Sequence, residues 1–257
     1  MSLLTKRRPS TFGRSANALA ASLGVFAVCA AAGCPDPETV TEQRTAVEHG
    51  EALMHDPTLG GANGINQLTC VDCHTEDPTS GGQVFPGGPL AGATKRPNYW
   101  NGKELALLSS INDCRYYFML SDAPWKGDEE EAKAVYAYLD SLDGPSEPIP
   151  FTVADIIEPG PGDATKGATT YANACGFCHG AIHTGVGAKL DRAPILPDET
   201  LVDHPLTEYT AAEQRLVFVE KVRHGTFAAY GGQMPPLSSE VLSDTDMADI
   251  LSYLDVP

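Results

Sequence analysis

A chain of 257 residues has room for one large domain or two small ones. Its 17 basic and 34 acidic side chains leave a net charge of −17 at pH 7, which excludes nucleic acid as a partner and tight docking on anionic lipid. Hydrophobic residues at 42% suffice for a buried core, while 20 prolines and 25 glycines point to a loop-rich build.

The first segment reads as targeting rather than fold. Lys6, Arg7, Arg8 and Arg14 form a basic start, and residues 19–32 are apolar but too short to cross a bilayer comfortably. The string Ala31-Ala32-Gly33-Cys34 resembles the lipobox of bacterial lipoproteins. That resemblance implies a lipoprotein signal over residues 1–33, cleavage before Cys34, and a lipid-modified Cys34 followed by a tether over 34–41. An ordinary signal peptide is the alternative, and both place the chain on the periplasmic side of a bacterial membrane. Cleavage would remove 4 of the 17 basic residues and none of the 34 acidic ones, so 13 against 34 remain, a net −21. Such a surface suits a body held to the membrane only by lipid and meeting redox partners through basic docking patches on them.

After this the chain repeats itself. An opening helix is expected over residues 42–54 around Gly50, and a second over 164–174 around Gly167. Each leads to a five-residue string, Cys70-Val71-Asp72-Cys73-His74 and Cys175-Gly176-Phe177-Cys178-His179. Each half closes with an amphipathic helix, over 128–142 and 244–254, in which Tyr138-Leu139 and Tyr253-Leu254 hold equivalent places. Between the halves, residues 144–161 are dense in Pro and Gly, a linker composition. No strand-like alternation of useful length occurs, so the class is all-α.

Cys-x-x-Cys-His is the attachment pattern of c-type haem. Two thiols three positions apart on a helical turn reach the two vinyl groups on one porphyrin edge, and the histidine that follows presents its imidazole to the iron. Zinc sites and thioredoxin-like pairs also use Cys-x-x-Cys, but two copies, each followed by His in an exported chain, read as two covalently bound haems c. Cys70 and Cys73 would hold the first with His74 on its iron, and Cys175 and Cys178 the second with His179.

Each half resembles a class I cytochrome c domain: a helix with a Gly, Cys-x-x-Cys-His, and a last helix with an aromatic residue. The resemblance implies two tandem domains, 42–143 and 162–257, joined by the linker. It also implies close helix crossings at Gly50 with Tyr138 and Gly167 with Tyr253. The first half departs by an insert over residues 56–68.

The family takes its second axial ligand, usually Met, from a loop before the last helix. In the second half, Gly231-Gly232-Gln233-Met234-Pro235-Pro236 resembles that loop, which makes Met234 the implied ligand. In the first half Met119 lies 19 residues before Tyr138, as Met234 does before Tyr253, and is the preferred ligand, though it lacks the prolines. Cys114 is the alternative. Of the seven cysteines it alone is left unassigned once Cys29 goes with the signal, Cys34 with lipid and four with haem. The segment 111–119 around it resembles sulfur-oxidising dihaem cytochromes, including thiosulfate dehydrogenases, some of which use a Cys thiolate on an active-site haem. Against this, Leu107, Ile111, Cys114 and Phe118 share one helix face, where a buried cysteine acts as a small hydrophobe. Pro194 resembles the proline whose carbonyl holds the proximal imidazole, with Pro86 and Pro89 as possible counterparts. His183 is a possible propionate contact. His49, His55, His204 and His224 read as surface or loop residues, and Trp100 and Trp125 as packing residues.

The leading reading is a periplasmic dihaem electron carrier with no catalytic residues, the competing one a thiosulfate-oxidising enzyme with Cys114 on the first haem. A dihaem peroxidase and a cytochrome subunit of a larger dehydrogenase are further alternatives.

Overall fold

The computed structural model describes residues 45–60, 67–153, 156–225 and 233–257. The targeting segment with Cys34 and Cys29 therefore lies outside the described residues, as do 61–66 of the first-half insert and Gly231 and Gly232 ahead of Met234.

Local sequence sets the helix starts. Thr45 accepts from the Glu48 amide and the Glu48 carboxylate returns to the Thr45 amide at 2.8 Å, a capping box that opens α1 (Ala46–Met54). Helix α2 (Leu107–Tyr117) and the closing helix α3 (Glu130–Ser141) complete the first half. In the second half Asp163 caps α4 (Ala164–Ala174), which runs into the short α5 (Gly176–His179). Helices α6 (Asp198–Asp203) and α7 (Ala211–His224) follow, and a Ser243–Asp246 capping box starts α8 (Asp244–Tyr253). Among the described residues the only extended pairing is an isolated bridge between Tyr99 and Glu104, so the chain is all-helical there.

Two crossings organise the molecule. Helix α1 lies against α3 at Gly50, where a Cβ would run into the Ala134 carbonyl and sit 2.7 Å from the Tyr138 Cβ. Helix α4 lies against α8 at Gly167, where a Cβ would run into the Asp249 carbonyl and sit 2.9 Å from the Tyr253 Cβ. Only glycine allows backbones this close. One buried cluster gathers Leu53, Met54, Leu90, Val135, Tyr138 and Leu139 around the first crossing, and another gathers Tyr171, Phe218, Leu242, Met247, Leu251 and Leu254 around the second.

The described parts of the Pro/Gly-rich stretch between the halves, 144–153 and 156–161, are not loose chain. The Thr152 amide and hydroxyl donate to the Glu240 carboxylate at 3.0 and 2.6 Å, and the Ser239 amide donates to the Thr152 carbonyl at 3.0 Å. Arg215 donates to the Pro159 and Gly160 carbonyls at 3.3 and 3.0 Å. On the first-half side, Phe151 meets the Trp100 ring edge-on with centroids 5.3 Å apart. Proline's missing N–H costs nothing here, because the segment is tied through its carbonyls, neighbouring amides and side chains.

Candidate haem centres

In the second half the helix delivers the motif. Cys175 is the buried C-cap of α4, α5 carries Cys178 and His179 onward, and the Tyr171 hydroxyl donates to the Gly180 carbonyl at 2.9 Å to close the turn. His179 is buried, and its Nδ1 lies 2.9 Å from the Pro194 carbonyl oxygen. A carbonyl only accepts, so the proton sits on Nδ1 and the Nε2 lone pair stays free. Burial lowers the ring's pKa, and the carbonyl contact only partly opposes this, which keeps the imidazole neutral and able to bind a metal.

The first half reaches the same arrangement by other means. Its motif starts on a 3-10 turn, Cys70–Asp72, stapled by the Asp72 carboxylate accepting from the Thr69 amide at 2.7 Å. The His74 Nδ1 donates to a carbonyl at 2.8 Å, but that carbonyl belongs to Gly88, not to Pro86 or Pro89. The spacing gives the clue: Gly88 is 14 residues after its histidine and Pro194 is 15 after its own. Burial again lowers the imidazole's pKa. Gly87 lies flat on the His74 ring, where a Cβ would overlap the imidazole atoms.

A cavity opens over this motif. Cys70, Cys73 and His74 line one side, and α2 with the turn after it lines another through Leu107, Ile111, Cys114, Phe118 and Met119. The helix face expected from the sequence is thus the cavity wall. Both Met119, which is buried, and Cys114 face the space over His74, so the fold brings both ligand candidates to one site. Burial pushes the Cys114 thiol up to about 12, with the Cys70 sulfur adding to it, so it stays protonated near neutrality unless a metal draws the proton off. Met234 is half-buried and packs against the second core, beside the cluster that holds Cys175.

Two guanidinium groups interrupt the apolar lining of the first cavity. Arg96 donates to the Pro89 and Ala91 carbonyls at 2.8 and 2.7 Å. Arg115 lies 3.9 Å from the Trp125 ring centroid and donates to Ser121 Oγ at 3.0 Å. Both keep a buried Nε without a hydrogen-bond partner. A largely apolar plane with carboxylates at its rim suits such a wall, and the five described cysteines are all free thiols. The residues present therefore fit a haem. Among the described residues no group of three or more His, Cys, Asp and Glu side chains is gathered as a metal ion alone would need.

The other histidines fall elsewhere. The His183 Nδ1 pairs with Asp198 at 2.8 Å on the surface. His49 and His55 pair with Glu130 and Glu76 at 3.7 and 3.5 Å, and the His204 Nδ1 donates to the Thr200 carbonyl at 2.9 Å. Sequence reasoning missed the buried position of Arg115, as well as Ile149, Phe151, Pro235 and Pro236, which also line the first cavity.

Residues 162–254 match the family model described as cytochrome c oxidase, cbb3-type, subunit III. No curated protein matches the chain. The match covers the second half and supports a cytochrome c, with covalently bound haem and haem-based electron transfer. Among the described residues no helix is long and apolar enough to cross a membrane.

Proposed function

We propose that the chain is an exported dihaem cytochrome c that passes electrons between redox partners on the periplasmic side of a bacterial membrane, anchored through Cys34. The observation that carries this reading is the doubled arrangement of paired thiols and a neutral imidazole pinned at Nδ1 by a backbone carbonyl. Each bound haem would supply one-electron cycling between Fe(III) and Fe(II). The chain's own part is to hold and tune. Cys70 with Cys73 and Cys175 with Cys178 would hold two haems, with His74 and His179 as imidazole ligands and Met119 and Met234 as thioether ligands to the irons. The acidic surface speeds encounters with partners that carry basic patches.

A specific observation favours one second reading. Cys114 shares the first cavity with Met119, beside the buried guanidinium of Arg115, the setting expected of a thiolate-ligated site that oxidises thiosulfate. One experiment separates the two. Electron paramagnetic resonance of the oxidised wild type, Met119→Ala and Cys114→Ala is expected to show two haems per chain and the first haem's ligand field altered in Met119→Ala alone, while the optical spectrum of the reduced wild type is expected to stay unchanged under carbon monoxide. A change in Cys114→Ala only, with reduction of the wild type by thiosulfate, would replace the carrier by the enzyme.

A further inference from the structure

The two attachment sites share structure. The Val84 amide of the first half donates to the Asn173 carbonyl at 3.2 Å, two residues before Cys175, and its side chain packs on the core cluster that includes Cys175. In the other direction, Pro235 and Pro236 line the first cavity with Cys73 and His74, although they follow Met234 directly in the chain. Pro236 is fully buried.

The loop is fixed from behind. The Leu237 amide donates to the Val222 carbonyl at 2.8 Å, and the Arg223 guanidinium donates to the Leu237 carbonyl at 3.0 Å and to Asp244 at 2.9 Å. Gly225 lies so close that a Cβ there would run into the Met234 carbonyl and sit 2.8 Å from the Pro236 nitrogen. The two pyrrolidine rings fix φ at successive positions, so the run cannot absorb a displacement by bending within itself. One end of a stiff three-residue segment is packed on the second core while the other forms the wall of the first cavity.

We propose that the Met234-Pro235-Pro236 segment serves both haem sites: Met234 as distal ligand of the second haem, Pro235 and Pro236 as positioning residues for the first. This rests on the reading of Met234 as a ligand. Ligand loss or exchange at the second site then moves the wall of the first, and the two sites respond to one another through covalent chain as well as through space.

The test uses the full haem-loaded chain, with electron paramagnetic resonance and optical redox titration of each haem. Met234→Ala is expected to abolish the thioether-ligated signal of the second haem and also to shift the resonance of the first. Pro235→Ala is expected to keep the second haem's signal and to shift both the resonance and the potential of the first. Pro236→Ala should do the same more strongly, and the half-buried Pro235 carries the test if it does not fold. Asp163→Ala, which uncaps α4 and leaves Arg223, Asp244 and Gly225 behind the segment in place, should leave the first haem's resonance unchanged. If Met234→Ala alters one haem signal alone, the ligand reading stands and the shared segment is wrong. If it alters neither, the ligand reading itself has failed. A shift in Asp163→Ala as large as that in Pro235→Ala would trace the effect to general loosening and overturn the proposal.

Discussion

In the second half α4 runs through Cys175 into α5, so a single helical path delivers both thiols and His179, and Pro194 holds the imidazole from within the same half. In the first half the motif starts on a 3-10 turn, and its cavity is finished by pieces from three places. Helix α2 supplies Cys114 and the turn with Met119, the connecting stretch supplies Ile149 and Phe151, and the second half supplies Pro235 and Pro236. Even the carbonyl that holds His74 depends on outside support, because the Ile149 side chain packs directly on Gly88. The second site is held mainly from within its own half, with Val84 its contact from the first, and the first site is composite. A local site is fixed by a motif and its near neighbours. A composite one depends on how distant segments dock.

The crossings at Gly50 and Gly167 are the feature the halves have in common, and they give the largest expected effect. Gly167→Ala and Gly50→Ala each drive a methyl into a backbone carbonyl that cannot step aside without separating two helices. Each should cost about 3 kcal/mol or more in denaturant unfolding of the haem-loaded protein. Similar costs in both halves would show one construction used twice. A cost below about 1 kcal/mol at Gly50 would mean that the first half tolerates a looser crossing and leans on its neighbours for stability.

This division also explains what could be read from residues alone. The glycine–tyrosine crossings, the helix over 164–174, and the carbonyl of Pro194 on His179 involve short spacings and residue types with strong conformational preferences, and the structure places them as the sequence indicates. The Gly88 carbonyl was one residue from Pro89 and hidden by the choice of proline as the marker. The packing of residues 144–153 and 156–161 is illegible in the sequence because a Pro/Gly-rich composition describes a flexible tether and a docked one equally well. The choice between Met119 and Cys114 was open for a similar reason: α2 and the turn after it carry both to one cavity. Arg115 and the wall residues beyond position 144 carry no local signal for a cavity that lies elsewhere in the chain.

The closing helices give an effect of middle size and a sharper contrast. Helix α8 starts with Ser243 accepting from the Asp246 amide at 3.1 Å, while the N-cap of α3, Glu129, makes no side-chain capping bond. Ser243→Ala is expected to cost about 1 kcal/mol. Glu129→Ala should change stability by less than about 0.5 kcal/mol. Chemical denaturation followed at each haem's absorbance would read this directly, and a larger loss at Glu129 would break the assignment of cap strengths.

The smallest expected effect tests dependence between the halves. Burial works to raise the Glu240 pKa, but the hydrogen bonds from the Thr152 hydroxyl and amide win and bring it from an ordinary 4.5 to about 2. A carboxylate whose folded pKa is depressed contributes its full stability above its unfolded value. That contribution drains away as pH falls from about 4.5 towards 2. Glu240 is exposed, so solvent screening limits the contribution to less than about 1 kcal/mol. Its place in the fold is more telling than its size. It anchors Thr152, the next residue after Phe151 in the wall of the first cavity. Hydrogen exchange at the amides around Ile149 and Phe151 should therefore quicken as pH drops through that window, after correction for the intrinsic pH dependence of exchange. Glu240→Gln should show the quickened exchange already at neutral pH and lose the acid response. The amides around His179 and Pro194 should be untouched in both cases, because the second site draws nothing from this contact. Equal loosening at both sites would mean that the halves melt together, and the contrast between a local and a composite site would not survive in solution.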